Sequence, residues 1–191
     1  MKRTIAITVL SIFMNSFNGN AQESYGRTLN LGLGVGGYAG HYKYSEHLLP
    51  VFNLNYELDV VKNFTLAPFA SFYTFSNSYY WGNKDHPDRY YSYRQTVIPI
   101  GVKGFYYFDQ LLKANSKWDF YAAGSIGFSI VNSQWETGYM GDKNHYHVPT
   151  PLFLDLHVGA EFHFTNRIGG FLDLSSGVST IGLAIHSVRH E

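Results

Sequence analysis

Three groups of residues have types and spacings that could carry chemistry. Gly32, Gly34 and Gly37 in "NLGLGVGGYAG" follow the order G-x-G-x-x-G, in which glycines let a backbone approach a pyrophosphate seated on a helix N-terminus. Glu57, Lys103, Asp155, His157, Glu161, His163, Asp173 and His186 combine carboxylates, imidazoles and an amine, the groups that acid–base chemistry uses. "HYH" at His145 to His147, together with His41, His47 and His86, offers imidazoles of the kind transition metals take.

Each group depends on the element that positions it. The glycine motif works only where a strand ends and a helix begins. After Gly37 the chain runs "YAGHYKYSEHLLP", with no apolar repeat at helical spacing. Leu29, Leu31, Leu33 and Val35 alternate instead with Asn30, Gly32, Gly34 and Gly36, the period of a strand. The nucleotide reading therefore fails.

The same alternation recurs along the chain. It predicts eight strands near 27–38, 50–60, 64–75, 93–108, 118–131, 151–164, 168–175 and 180–188. In "LFLDLHVGAEFHF", Leu152, Leu154, Leu156, Val158, Ala160, Phe162 and Phe164 share one face, and Asp155, His157, Gly159, Glu161 and His163 share the other. The stretches 39–49, 76–92 and 132–150 read as long polar loops, separated by tighter links at "VVKN" and "TNR", with "DQLLKANSK" of middling size and a short link at "SGVS". An up-and-down meander in one domain, 22–191, is expected.

Ahead of it, residues 1–21 read as a cleaved signal peptide. Lys2 and Arg3 precede the apolar run "TIAITVLSIFM", and Gly19, Asn20 and Ala21 supply small residues at the cleavage site. The chain has no cysteine, so no disulfide framework stabilises it after export. Its 14 basic residues balance 14 acidic ones, which leaves no electrostatic footprint for nucleic acid. Aromatic residues make up 18% of the chain, with 16 Tyr and 15 Phe; a surplus of that kind fits a boundary between dry and wet surroundings.

Eight strands that close leave no unpaired edge, and their barrel encloses only enough space for side chains. The bulky face holds more volume than such an interior accepts, so it is expected outside, against lipid, with the polar and small face inside. Gly32, Gly34, Gly36, Gly101, Gly127 and Gly159 are then expected to face inward and make room for long polar side chains from other strands. A soluble lipocalin-like carrier of a small hydrophobic ligand is the inverse arrangement. None of Trp81, Trp118 or Trp135 sits in the G-x-W context expected of it.

The signal segment, the alternating strands and their aromatic ends resemble the small outer-membrane β-barrels of Gram-negative bacteria, the OmpA/OmpX-type group. The resemblance implies an all-β, eight-stranded antiparallel up-and-down transmembrane β-barrel in the outer membrane. It also brings a lipid-modifying barrel enzyme into view as an alternative. The adjacent pair His186 and Ser187 does not make a dyad, because neighbours on a strand point to opposite faces.

Within a barrel, the eight titratable residues are expected to form a polar network filling the lumen rather than a catalytic cluster, since each buried charge needs a partner. The loop histidines are expected to be solvated, and no metal, cofactor or catalytic residue is assigned. Tyr79, Tyr80, Trp81, Tyr90, Trp135 and Tyr139, in the loops "SNSYYWGNKDHPDRYYSYR" and "NSQWETGYMGDKNHYH", are the candidates for contact with a surface partner or glycan. The expected function is structural, adhesive or surface-interacting. The expected partners are outer-membrane lipid and whatever the loops bind, with the chain a monomer.

Overall fold

The computed structural model describes residues 27–37, 47–48, 50–80, 90–108, 117–141 and 151–187. The signal segment 1–21 and the loop residues His41, His86, His145, His147 and Trp81 lie outside them.

Among the described residues nine strands run in chain order: β1 (Thr28–Gly36), β2 (His47–Leu48), β3 (Val51–Val61), β4 (Phe64–Tyr80), β5 (Tyr90–Tyr107), β6 (Trp118–Trp135), β7 (Leu152–His163), β8 (Ile168–Ser175) and β9 (Val178–His186). All pairings are antiparallel. Each strand from β3 to β9 pairs with the next, and β9 returns to β1, which pairs with β3. The eight longer strands thus close into an up-and-down barrel, while two-residue β2 adds to β4 at Ser76 and Phe75. Closure leaves no open edge across the membrane-spanning part of the sheet, a condition hydrocarbon imposes.

Thr28 and His186, the links at 62–63 and 164–167, and the residues Phe108 and Lys117 lie at one end of the barrel, the near end. The β3–β4 link is tight because Asn63 takes a left-handed backbone, φ 59°, which Asn tolerates better than most residues. The Thr165 hydroxyl accepts from the Arg167 and Ile168 amides, at 3.2 and 3.1 Å, and holds the β7–β8 link.

The bulky face is outside, as the volumes require. Leu31, Leu33, Phe52, Leu54, Ile126, Phe128, Leu172, Leu183 and Ile185 are all exposed, and Leu154 and Leu156 are each 76% exposed. This rules out the lipocalin-like carrier, whose apolar face would be enclosed. A closed sheet, dry outside and polar within, is a transmembrane barrel. On β5 the outward apolar run from Ile98 to Tyr106 covers about 27 Å of strand at about 3.4 Å per residue. At a tilt of about 40° that is roughly 21 Å along the normal, close to the ~25 Å apolar band of such barrels. At the near end Trp118, Phe120, Phe162 and Phe164 pack ring against ring, with centroids 4.8 to 5.9 Å apart; this is an interfacial girdle.

Two expectations need correction. Strands β4, β5 and β6 run to Tyr80, from Tyr90 and to Trp135, well into stretches read as loop. Their outer faces turn polar at one level, where Thr74 pairs with Thr96 and Thr96 with Asn132. Beyond that row come Ser76, Arg94 and Gln134. Polarity there marks emergence from lipid, not the end of the strand.

The second correction concerns the lumen, which is more aromatic than expected. Val51, Phe69, Tyr73, Phe75, Val97, Phe153 and Val178 form one buried cluster; Ala67, Phe105, Tyr107, Tyr121 and Ala123 form another. The inward glycines mostly accommodate these rings and neighbouring backbone, not long polar side chains. A Cβ on Gly159 would enter the ring of its cross-strand partner Tyr121, and one on Gly127 would come within 2.8 Å of Phe153.

Candidate functional site

All eight titratable residues assigned to the lumen face inward, and the structure divides them among three networks. The first is central. Lys103, from β5, reaches across to Asp173 on β8, and its Nζ lies 3.1 Å from His157 Nδ1 on β7. The same Nδ1 is 2.7 Å from Asp173 Oδ1, and the Tyr121 hydroxyl donates to Asp173 Oδ2 at 3.1 Å. On its other side, His157 Nε2 lies 3.1 Å from Ser125 Oγ and 3.4 Å from Asp155 Oδ2; Asp155 also accepts from Ser176. The ammonium further sits 4.7 Å from the centroid of Phe105. Lys103, Ser125, Asp155, His157 and Asp173 are all buried.

Ser125, His157 and Asp173 therefore stand in the contact order of an acyl-transfer triad, hydroxyl to imidazole to carboxylate. Sequence reasoning missed Ser125, because neither its type nor its position in "AAGSIGF" signals a partner on another strand. What the triad lacks is room. The cavity beside it, lined by Asn53, Phe69, Lys103, Ser125, His157, Asp173 and Thr180 among others, holds about 10 Å³. That is space for one water at most, whereas a reacting carbonyl must come within about 3 Å of the nucleophile.

The second network surrounds Glu57. Its Oε1 accepts from Asn30 Nδ2 at 2.6 Å, and its Oε2 from the hydroxyls of Thr65 and Tyr107, each at 2.7 Å. Asn30 also donates to Asn55 at 2.9 Å. These contacts join β1, β3, β4 and β5. A carboxylate with three donors is well satisfied in a dry lumen.

The third network, at the near-end mouth, holds the remaining three residues. His186 Nε2 is 2.7 Å from Glu161 Oε1, and its Nδ1 is 2.9 Å from Thr28 Oγ1. His163 Nε2 is 2.7 Å from Asp119 Oδ2, and its Nδ1 lies 3.8 Å from Glu161 Oε1.

At the opposite end, the extension of β4, β5 and β6 carries the aromatic candidates. Tyr80 and Tyr90 are cross-strand partners with rings 5.3 Å apart, 50% and 63% exposed. Trp135 stacks on Tyr139 at 4.1 Å and 5°, and also packs on Tyr93 at 4.6 Å. Tyr139, expected to offer contact area, is instead buried against Trp135 and Tyr91. Tyr79 belongs to β4, but its side chain, like that of His47 in β2, lies outside the described residues.

No protein-family model and no curated protein matches the chain. Among solved structures it is similar to the Yersinia pestis outer membrane protein Ail in a phospholipid bilayer nanodisc. The identity is 11%, over 83% of this chain and 97% of that one, with a TM-score of 0.38. It is likewise similar to the crystal structure of Ail, the attachment invasion locus protein of Yersinia pestis, in complex with the heparin analogue sucrose octasulfate. There the identity is 10%, over 83% and 95% of the two chains, with a TM-score of 0.38.

Proposed function

We infer that this transmembrane barrel works in the outer membrane of a Gram-negative bacterium as a non-enzymatic, monomeric surface-interaction protein, exported by residues 1–21. The near end, with the first and last strand ends and the links at 62–63 and 164–167, faces the periplasm, and the end to which β4, β5 and β6 extend faces outward. Among the described residues the lumen is filled like a strut, with only about 10 Å³ beside Ser125.

The observation that carries this reading is the continuation of three paired strands past the row Thr74–Thr96–Asn132. From Thr96 to Tyr90 that adds about 20 Å of strand, which is more than the barrel needs to span lipid. The extension is built rather than loose: the Ser92 amide donates to the Glu136 carboxylate at 2.9 Å, the Glu136 amide donates back to the Ser92 carbonyl at 2.9 Å, and Gln95 donates to Ser133 at 3.0 Å. At its tip, the exposed Tyr80 and Tyr90 rings offer rigid amphipathic area of the kind that glycans and protein surfaces bind. Ordering it in advance lowers the entropy lost on binding.

Membrane fractionation with boiled and unboiled gel electrophoresis tests the placement; a heat-dependent mobility shift in the membrane fraction is expected, and a soluble protein without a shift overturns it. Whole cells displaying the protein, applied to a panel of immobilised glycans and to cultured cells, test the role. Adherence should fall when Tyr80→Ser and Tyr90→Ser are combined while the mobility shift persists. Unchanged adherence refutes the assignment of the tip.

A further inference from the structure

The near-end mouth of the lumen holds an arrangement that the filled-strut reading does not use. One ligand atom from each of Glu161, His163 and His186 lies within 4.8 Å of the others. The imidazoles present different nitrogens to the same carboxylate: His186 Nε2 at 2.7 Å from Glu161 Oε1, and His163 Nδ1 at 3.8 Å from it. On each ring the other nitrogen is held by a separate partner, Thr28 Oγ1 for His186 and Asp119 Oδ2 for His163. Outer partners of this kind fix the tautomer and aim of imidazoles that bind metal. A mere pair of ion bridges would not require both inner nitrogens to converge on one oxygen.

We propose that Glu161, His163 and His186 bind a divalent transition-metal ion, with Zn²⁺ as the representative, and that Asp119 and Thr28 are positioning residues for the two imidazoles. Neutral nitrogen and carboxylate oxygen are the donors Zn²⁺ takes, at about 2.0–2.2 Å, and three protein ligands leave a fourth position for water. Donors of a tetrahedral ion at that distance stand about 3.3 Å apart, so the Glu161–His186 pair opens by about 0.6 Å, the Glu161–His163 pair closes by about 0.5 Å, and the two imidazole nitrogens, within 4.8 Å of each other, close by up to about 1.5 Å. Gly169 makes the carboxylate position available: a Cβ there would occupy the place of Glu161 Oε1. The site is accessible from the mouth, since Glu161 is buried but both histidines are only partly covered.

The ligands come from β7 and β9, and Thr28 from β1, which pairs with β9 where the first and last strands of the barrel meet. The ion therefore ties β7 to β9 across β8, beside the seam that closes the barrel. It binds the closed sheet and not the open chain, so it stabilises closure by mass action.

The experiment uses the whole protein in detergent, stripped with EDTA and titrated with Zn²⁺ against a chromogenic chelator. One saturable equivalent is expected, and the urea midpoint of unfolding should rise with free Zn²⁺. His163→Asn and His186→Asn, each checked for the heat-dependent mobility shift, should abolish that equivalent. Asp119→Asn should weaken it by about 10–100-fold, while His145→Ala combined with His147→Ala should leave it intact. If the mouth variants do not fold, X-ray absorption at the zinc edge of the wild-type protein should show two imidazoles and only oxygen or nitrogen ligands. Absence of saturable binding, its survival in both mouth variants, its loss in the 145/147 variant, or a zinc shell without imidazole would each overturn the proposal.

Discussion

Replacing Lys103 with methionine isolates the central contact of the lumen. The ammonium faces Asp173 with both side chains less than 10% exposed, so water screens the pair little. Two unit charges about 3 Å apart at an effective dielectric constant of about 20 attract by roughly 5–6 kcal/mol. Asp173 keeps two contacts after the substitution, with His157 Nδ1 at 2.7 Å and with the donating Tyr121 hydroxyl at 3.1 Å, which offset part of the loss. Removing one partner of a buried pair costs about 3–5 kcal/mol because the other charge is stranded, and Lys103→Met should fall in that range. Combining it with Asp173→Leu should recover most of the stability, since a buried pair exchanged for apolar residues of similar volume is often near neutral. The assay is urea unfolding of the barrel in lipid vesicles, followed by tryptophan fluorescence and by the gel mobility shift. A single-variant cost below about 1 kcal/mol, or a double variant whose losses simply add, would show that the lumen does not hold an electrostatically coupled pair.

The exterior makes a second prediction: Leu156→Arg, in the middle of the β7 apolar run, should cost about 2–4 kcal/mol, whereas Gln134→Arg, beyond the polar row, should be near neutral in the same unfolding assay. Equal costs would mean that the outer face of β7 does not meet hydrocarbon. The interior makes a third: with about 10 Å³ beside Lys103, the purified protein in a planar bilayer should give no reproducible porin-sized steps, and such steps at neutral pH would refute the filled lumen.

Much of the barrel was legible because a strand's period of two is local. Leu152, Leu154, Leu156, Val158, Ala160 and Phe162 fall on one face whatever their neighbours do, and the same parity put Glu57, Lys103, Asp155, His157, Glu161, His163, Asp173 and His186 inside. The far limits of β4, β5 and β6 were not legible. Thr74, Ser76 and Ser78 alternate with Phe75 and the residues that follow it just as a strand should, but their outward side chains are polar. Hydropathy alone cannot distinguish a strand that has left the bilayer from a loop. The pairing of Ser78 with Ser92 and Tyr80 with Tyr90 decides it, and that is a property of two segments together.

Depth within the barrel is the information that parity omits, and it separates the central network from the mouth. Lys103 and Asp173 are 70 residues apart and meet because strand stagger sets β5, β7 and β8 at matching heights. His157 and His163 share a strand and a face, yet lie six residues apart. At about 3.4 Å per residue that is about 20 Å along β7, so one ring joins Asp173 and Ser125 while the other joins Asp119 and approaches Glu161. The single polar face read from sequence thus becomes three chemically distinct places. The central one is sealed by Phe105 and Tyr121 and organised around an ammonium. The Glu57 carboxylate is held by one amide and two hydroxyl donors. The mouth gathers two imidazoles around one carboxylate, partly open to water, and it is there that a diffusing cation can reach its ligands without first dismantling the barrel.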